Sequence, residues 1–286
     1  MILDGKKVRD DIARVLQAKI EALASRPSLA IIQVGNREES TAYIGRKRAF
    51  AESIGVEVRH IGLQESVSEE ELISSIHKLN SEQSIHGIIL QLPIPASFSK
   101  QKLLDEVVLE KDVDGLATGS RFVPATARGI AELLEFYDIQ ISGKKVAVLG
   151  RSTLVGAPTA KLLKAKGAKV TVCHSQTPNT KEITRASDII IVAIGKPKFI
   201  GRDYFRDDKT QVVIDVGITA VINGGIERLE DEIPERKLVG DVDFEAVKDI
   251  VVAISPVPGG VGPMTVAALF ENLLVSYKRH VNLKKR

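Results

Sequence analysis

Lys145-Val-Ala-Val-Leu-Gly150-Arg-Ser152-Thr-Leu-Val-Gly156-Ala-Pro158 decides the fold. A short apolar run enters a glycine-containing turn and leaves it as a helix. Such a turn lets backbone approach a phosphate, and the helix N-terminus adds free N–H groups and positive potential. The spacing departs from G-x-G-x-x-G. Ser152 stands at the second glycine, and the last glycine, Gly156, comes one residue late. A dinucleotide site and a plain strand-to-helix turn therefore both remain open at this point.

The next strand ends Thr171-Val-Cys-His174-Ser175-Gln-Thr177. An NAD site carries an acidic residue roughly 20 residues beyond the turn to hold the ribose 2′-hydroxyl. No carboxylate stands there. Arg151 in the turn and Ser175 beyond the strand supply a cation and a hydroxyl, which suit a 2′-phosphate. The cofactor expected is NADP rather than NAD. His174 is either part of that site or a polar strand-end residue. Ligands bind beyond the carboxyl ends of parallel strands, so two later exits are expected to line the same crevice. These are Ala193-Ile-Gly195-Lys-Pro197 and Asp215-Val-Gly217-Ile218. Gly195 and Gly217 carry no side chain to block a flat ring, although ordinary turns use glycine equally well.

Outward from this segment, apolar runs alternate with stretches of helical period. Leu29–Val34 reads as a buried strand. Ser40 is the expected cap of a helix that stops at Gly55. Val56–Leu63 is a strand, Glu69–Leu79 a helix and Ile85–Leu92 a strand ended by Pro93 and Pro95. A turn-rich stretch, Asp112–Pro124, interrupts the series. Thr126–Tyr137 is then a helix, Lys145–Leu149 a strand, Ala157–Lys166 a helix and Ala168–Cys173 a strand. Ile189–Ile194, Val212–Val216 and Val251–Ile254 are further strands, and Pro263–Lys278 is a last helix. The alternation predicts parallel strands joined by crossover helices. The fold class expected is α/β with two domains. An N-terminal αβ domain, residues 1–120, has a parallel sheet completed by the C-terminal helix in residues 264–286. A Rossmann-like NADP-binding domain spans residues 121–263.

Composition agrees. At roughly 150 residues per domain, 286 residues suggest about two domains. Apolar residues make up 44% and charged residues 27%, ordinary for a globular chain and too apolar for a disordered one. A net charge of +3 gives no reason to expect a nucleic-acid partner, and the basic tail, Arg279–His280 and Lys284–Lys285–Arg286, reads as a solvated end. The single cysteine, Cys173, excludes an intramolecular disulfide and fits a reducing compartment. Met1-Ile-Leu-Asp-Gly-Lys-Lys has no apolar stretch behind its charges, and no run approaches the ~18 residues that span a bilayer. The expectation is a cytoplasmic protein with no membrane partner.

The first half carries a second set of candidates. Tyr43 and Lys47, four apart on a helix, project from one face. Burial, or the positive charge of neighbouring Arg46 and Arg48, would depress the lysine and make it a usable base near neutral pH. The same pair at this spacing is also a common surface feature. Gln91 ends a buried strand, where a polar side chain suits a pocket better than a core. Lys111-Asp-Val-Asp-Gly115 resembles a calcium-type turn but has too few following oxygen ligands. The five histidines are scattered, so no zinc site is expected either. Ser255-Pro-Val-Pro258-Gly259-Gly260-Val-Gly-Pro-Met-Thr265, stiff and poor in side chains, is a wall for a flat ligand or a hinge.

Six ordered segments carry a resemblance. They are Tyr43-Ile-Gly-Arg-Lys47, Gln91-Leu-Pro-Ile-Pro95, Lys111-Asp-Val-Asp-Gly115, Gly150-Arg-Ser-Thr-Leu-Val-Gly156, Val213-Ile-Asp-Val-Gly217 and Pro256-Val-Pro-Gly-Gly-Val-Gly-Pro-Met-Thr265. In that order the chain resembles the bifunctional methylenetetrahydrofolate dehydrogenase/methenyltetrahydrofolate cyclohydrolases over nearly its whole length. The resemblance implies two α/β domains with a cleft between them, and a homodimer formed through the second. It implies NADP-dependent oxidation of 5,10-methylenetetrahydrofolate to the methenyl compound, then hydrolysis to 10-formyltetrahydrofolate. Lys47 would be the cyclohydrolase base or proton shuttle, and Tyr43 would stack on or orient the folate. Gln91 would hold Lys47 and polarise the substrate, and Asp114 would hydrogen-bond the pterin. Pro258, Gly259, Gly260 and Thr265 would border the folate. Gly150, Arg151, Ser152, Gly156, His174, Ser175, Gly195, Gly217 and Ile218 would form the NADP site, with no metal.

The chain departs from the family pattern in three places. The link after Gly115 is shorter and has Ala125-Thr126-Ala127 in place of Cys-Thr-Pro. Ala49 replaces a lysine, and Thr219 an asparagine. Three other activities remain compatible with the sequence: a dehydrogenase alone, an enzyme acting on another reduced pterin, and a non-catalytic NADP sensor.

Overall fold

The structure is a computed structural model that describes residues 1–222 and 236–284. The chain forms two compact units, one of residues 9–125 and 265–286 and the other of residues 1–8 and 126–264. They are called here the N-terminal and the central unit. The sequence predicts breaks near 120 and 264, with the first residues in the N-terminal unit. In the structure Met1–Val8 instead group with the central unit. Hydrogen bonding accounts for this: Ile2 bridges Ile254, Leu3 N–H donates to Ile254 O, and Gly5 N–H donates to Gly259 O.

The N-terminal unit begins within helix α1 (Gly5–Glu21). It continues through β1 (Ser28–Val34), α2 (Glu38–Ser53), β2 (Glu57–Leu63), α3 (Glu69–Ser81), β3 (Gly87–Leu90) and α4 (Lys100–Asp105). Its sheet has the order β2-β1-β3, and all pairs are parallel. β1 is buried at every position, as an apolar run between two neighbours should be. Ser40 does not cap α2. The helix starts earlier, after Arg37, with Glu38 and Glu39 in its first turn, where negative charge complements the helix dipole. Gly55, at φ +77, stops the helix as expected. α3 is closed by a reciprocal capping box between Ser68 and Glu71.

The central unit starts with α5 (Ala125–Phe136) and runs β4 (Lys145–Leu149), α6 (Gly156–Ala165), β5 (Lys169–Cys173), α7 (Thr180–Arg185), β6 (Ile189–Val192) and β7 (Val212–Asp215). An antiparallel pair, β8 (Thr219–Ile222) and β9 (Arg236–Val239), precedes α8 (Phe244–Val247) and β10 (Ala253–Ile254). The five-stranded sheet is wholly parallel, in the order β10-β7-β6-β4-β5. The chain leaves β4 for β5 on one side and returns to β6 on the other. That reversal is the switch point where α/β sheets bind ligands, and it falls at the end of β4.

The last helix, α9 (Val261–Lys284), is longer than the expected Pro263–Lys278. Lys285 and Arg286 of the basic tail lie outside the described residues. From Val266 to Leu274 its apolar residues join one core with Leu29, Ile31, Phe50 and Ile89, so the helix completes the N-terminal unit as expected. The Phe50 and Phe270 rings lie 5.3 Å apart. Asn272 adds a polar anchor: its Nδ2 donates to Val113 O at 2.9 Å and Val123 O at 3.0 Å. Asn272→Ala leaves both carbonyls short of a partner and is expected to cost about 2 kcal/mol in urea unfolding. A wild-type midpoint would contradict this anchoring.

Candidate active site

Helix α2 turns Ser40, Ile44, Lys47 and Phe50 into the N-terminal unit. Lys47 therefore lies on the apolar face, with a side chain 8% exposed. Its Nζ donates to Gln91 Oε1 at 3.0 Å. Gln91 sits just past β3, and its N–H continues the ladder to Ile32 O. The Gln91 amide is oriented at both ends, because Nε2 donates to Leu92 O at 2.7 Å. Burial holds the Lys47 amine below the ordinary lysine range, and the Asp114 carboxylate opposes that shift. The arginines are not the cause. Arg46 is exposed, and its guanidinium lies 5.2 Å from the Tyr43 ring centroid. Tyr43 is half-buried, and burial raises its phenol against the lowering charge of Arg46.

The Lys111–Gly115 segment separates into scaffold and site. Lys111 Nζ donates to Leu79 O, Asn80 O and Glu82 O, carbonyls at the C-terminal end of α3. Asp112 accepts from the Gly115, Leu116 and Ala117 amides, which closes the loop. Asp114 is the carboxylate that faces Lys47. Burial raises it, and the lysine's charge pulls it back. A buried amine, an oriented amide and a nearby carboxyl are together a chemistry able to move protons, with charges set by their surroundings. One residue on the same helix face, expected from sequence to be a cap, instead points inward. Ser40 is 4% exposed, and its Oγ has no hydrogen-bond partner among the described residues.

In the central unit the β4–α6 turn is built at backbone contact. Gly150 has φ +114, and a Cβ there would lie 2.2 Å from Ala193 O. A Cβ at Gly156 would lie 2.1 Å from Gly150 O. Ser152 Oγ accepts from the Val155 and Gly156 amides, so it closes the turn that leads into α6. Arg151, Ser152 and Ser175 are exposed around this turn. His174 helps to build the neighbouring exit: its N–H donates to Thr177 Oγ1, and its Nδ1 accepts from Gln176 N–H. Gly195 is exposed, with open space where a Cβ would stand. Gly217 is buried, and Ile218 beside it is 38% exposed. A backbone cradle at the switch point, with a cation and a hydroxyl and no acid at the β5 exit, fits a dinucleotide with a 2′-phosphate.

The late Gly/Pro loop is divided in role. Pro258 is exposed and follows a cis peptide bond. Gly259 and Gly260 are buried, and Gly260 N–H donates to Pro256 O at 2.8 Å. Thr265 already belongs to the N-terminal unit.

Comparison with known proteins agrees with both halves. Residues 3–114 match the model of the tetrahydrofolate dehydrogenase/cyclohydrolase catalytic domain. Residues 124–281 match the NAD(P)-binding domain of the same family. The bifunctional protein FolD of Acholeplasma laidlawii is 42% identical over 97% of this chain and 98% of its own. The crystal structure of FolD methylenetetrahydrofolate dehydrogenase/cyclohydrolase from Campylobacter jejuni superposes with a TM-score of 0.87 at 37% identity, covering 98% of this chain and 99% of that one. The Trypanosoma brucei methylenetetrahydrofolate dehydrogenase-cyclohydrolase, complexed with NADP cofactor and inhibitor, gives 0.89 at 35% identity and 98% of each chain. Two domain models in order and full-length relatives lead to one conclusion: the chain belongs to the tetrahydrofolate dehydrogenase/cyclohydrolase family.

Proposed function

We propose that the chain is a bifunctional one-carbon folate enzyme. It oxidises 5,10-methylenetetrahydrofolate to the methenyl cation with NADP⁺ and hydrolyses that cation to 10-formyltetrahydrofolate. The buried hydrogen bond from Lys47 to Gln91 carries this reading, because hydrolysis needs a proton carrier and hydride transfer does not. Family membership and the NADP-complexed relative support the cofactor.

When bound, NADP⁺ would supply a hydride acceptor for the one-carbon bridge. Residues of the central unit hold it. The β4–α6 turn from Gly150 to Gly156 takes the pyrophosphate, and Arg151, Ser152 and Ser175 take the 2′-phosphate side. His174 shapes that exit, and Gly195 and Ile218 would line the flat ring, while the missing side chain of Gly217 makes room for Asp241 rather than for the ring. In the N-terminal unit Tyr43 orients the folate and Asp114 hydrogen-bonds the pterin. Pro258, Gly259, Gly260 and Thr265 border the substrate. In the hydrolytic step Lys47, as the neutral amine, takes the proton of the attacking water. It returns a proton to the ring nitrogen as that carbon–nitrogen bond breaks, and takes up the hydroxyl proton that the new formyl group releases. Gln91 holds Nζ in place throughout.

Tyr43, Lys47, Gln91 and Asp114 belong to the N-terminal unit, and the phosphate turn to the central one. No helix among the described residues is long and apolar enough to cross a membrane. With the lone cysteine, that supports a cytoplasmic location. The family resemblance supports a homodimer, which sedimentation analysis checks.

Mixing the protein with 5,10-methylenetetrahydrofolate and either NADP⁺ or NAD⁺ tests the reading. NADP-dependent reduction with formyl product forming faster than spontaneous hydrolysis is expected, and no reduction with either cofactor contradicts it. Lys47→Ala is expected to lower hydrolysis of supplied methenyltetrahydrofolate by about 10²- to 10⁴-fold. An unchanged rate removes the role of Lys47. Because the Asp114 carboxylate raises the Lys47 pKa, Asp114→Asn is expected to move the alkaline-rising limb of hydrolysis to lower pH. A shift to higher pH contradicts that coupling. Arg151→Ala is expected to raise KM for NADP⁺ about tenfold or more, with KM for NAD⁺ little changed. An equal effect on both cofactors removes the 2′-phosphate assignment.

A further inference from the structure

Five backbone amides at the carboxyl edge of the central sheet are held by two buried carboxylates that neither proposed step uses. Asp215, the last residue of β7, accepts from Gly217 N–H at 3.0 Å and Asp241 N–H at 3.1 Å through Oδ1. Its Oδ2 accepts from Val242 N–H at 2.9 Å. Asp241 Oδ2 accepts from both Ile194 N–H at 2.7 Å and Gly195 N–H at 2.8 Å. The two residues are 3% and 0% exposed.

These amides are the ones a diverging sheet leaves over. Ala193 N–H still bonds Leu149 O, and Val216 N–H still bonds Val192 O. Beyond them β6 and β7 part, and Ile194, Gly195 and Gly217 have no ladder partner. A buried amide without an acceptor is costly, so the carboxylates take the place of a strand. Glycines let them come close. A Cβ at Gly217 would lie 2.2 Å from Asp241 Cγ, and one at Gly240 would lie 1.9 Å from Asp215 Oδ2. Ala193 in turn packs against Gly150 of the phosphate turn. One chain of contacts thus links the exits of β4, β6 and β7.

No basic side chain hydrogen-bonds either carboxylate among the contacts described. Burial pushes the Asp215 carboxyl up to about 7, with the charge of Asp241 adding to it and the amides of Val242, Asp241 and Gly217 opposing. Stability alone gives little reason to bury two acids side by side. A fixed set of loop conformations gives one.

We propose that Asp215 and Asp241 are positioning residues for the dehydrogenase half, holding loops 193–195, 216–218 and 240–242 in the shape that receives the flat ring of the cofactor. This role rests on the NADP assignment under Proposed function. It makes a prediction that depends on which oxygens are used. Asp241 uses one oxygen for both amides, and its Oδ1 has no hydrogen-bond partner among the described residues. Asp241→Asn therefore keeps the acceptor and places its new NH₂ where no hydrogen bond is lost. Asp215 uses both oxygens, so Asp215→Asn sets an NH₂ against Val242 N–H.

The test measures NADP⁺ affinity by calorimetry and amide exchange at Ile194 and Gly195, with hydrolysis of supplied methenyltetrahydrofolate as the readout from the other unit. Asp241→Ala is expected to speed exchange at both amides and weaken NADP⁺ binding about tenfold, the scale of one or two lost hydrogen bonds. Asp241→Asn is expected to stay within about twofold of wild type, Asp215→Asn to weaken binding as Asp241→Ala does, and hydrolysis to persist in all three. Wild-type NADP⁺ affinity in Asp241→Ala overturns the proposal, as does Asp241→Asn impaired as badly as Asp241→Ala. If Asp241→Ala does not fold, the two asparagine variants decide, and equal affinity in them overturns it. Wild-type protein that binds no NADP⁺ overturns the cofactor assignment itself, and this is seen before any substitution is made.

Discussion

An amine taken out of water is the constraint on which the N-terminal unit is organised. Lys47 lies on the apolar face of α2, and its cost is met by one oriented acceptor, Gln91 Oε1, and one nearby carboxyl, Asp114. Neither partner is fixed by itself. Gln91 is placed by the β1–β3 ladder and turned by its bond to Leu92 O. Asp114 is placed by a loop that Lys111 and Asp112 tie down from either side. Loss of the Gln91 acceptor would leave Nζ unheld, and loss of the Asp114 carboxylate would lower the amine further. A lysine so held can exchange protons at a pH where an exposed one stays charged.

The central unit meets a different constraint. Its turn after β4 folds at backbone contact, and Gly150 and Gly156 are there because any side chain would overlap the chain itself. Both units place their candidate residues beyond the carboxyl ends of parallel strands, where α/β folds put sites. In the N-terminal unit that end supplies Gln91, and in the central unit the exits of β4, β5, β6 and β7.

Much of this was legible in the sequence because it depends on local pattern. Continuous apolar runs revealed the buried strands β1, β4, β6 and β7, and the missing acid after β5 pointed to NADP. The return of α9 to the N-terminal unit was also foreseen. What was not legible depends on contacts between distant residues. Ser40 looked like a cap, but the helix begins at Glu38 and turns that hydroxyl inward. Burial and the charge of Arg46 and Arg48 would each depress Lys47, and only packing shows that burial is the cause. Asp112 and Asp114 look alike in sequence, yet one closes a loop and the other faces an amine. Asp215 and Asp241 are 26 residues apart, and no periodicity joins them. α4, α7 and the β8–β9 pair were not anticipated either, since each is short, and α1, although 17 residues long with an apolar face, was missed.

The most direct measurement of the central claim is the titration of the Lys47 amine itself, followed by NMR of labelled lysine side chains and assigned with Lys47→Arg. The structure predicts that this one amine titrates below the ordinary lysine range. Titration within that range or above it would contradict a buried, neutral-capable Lys47 and with it the proton-transfer role.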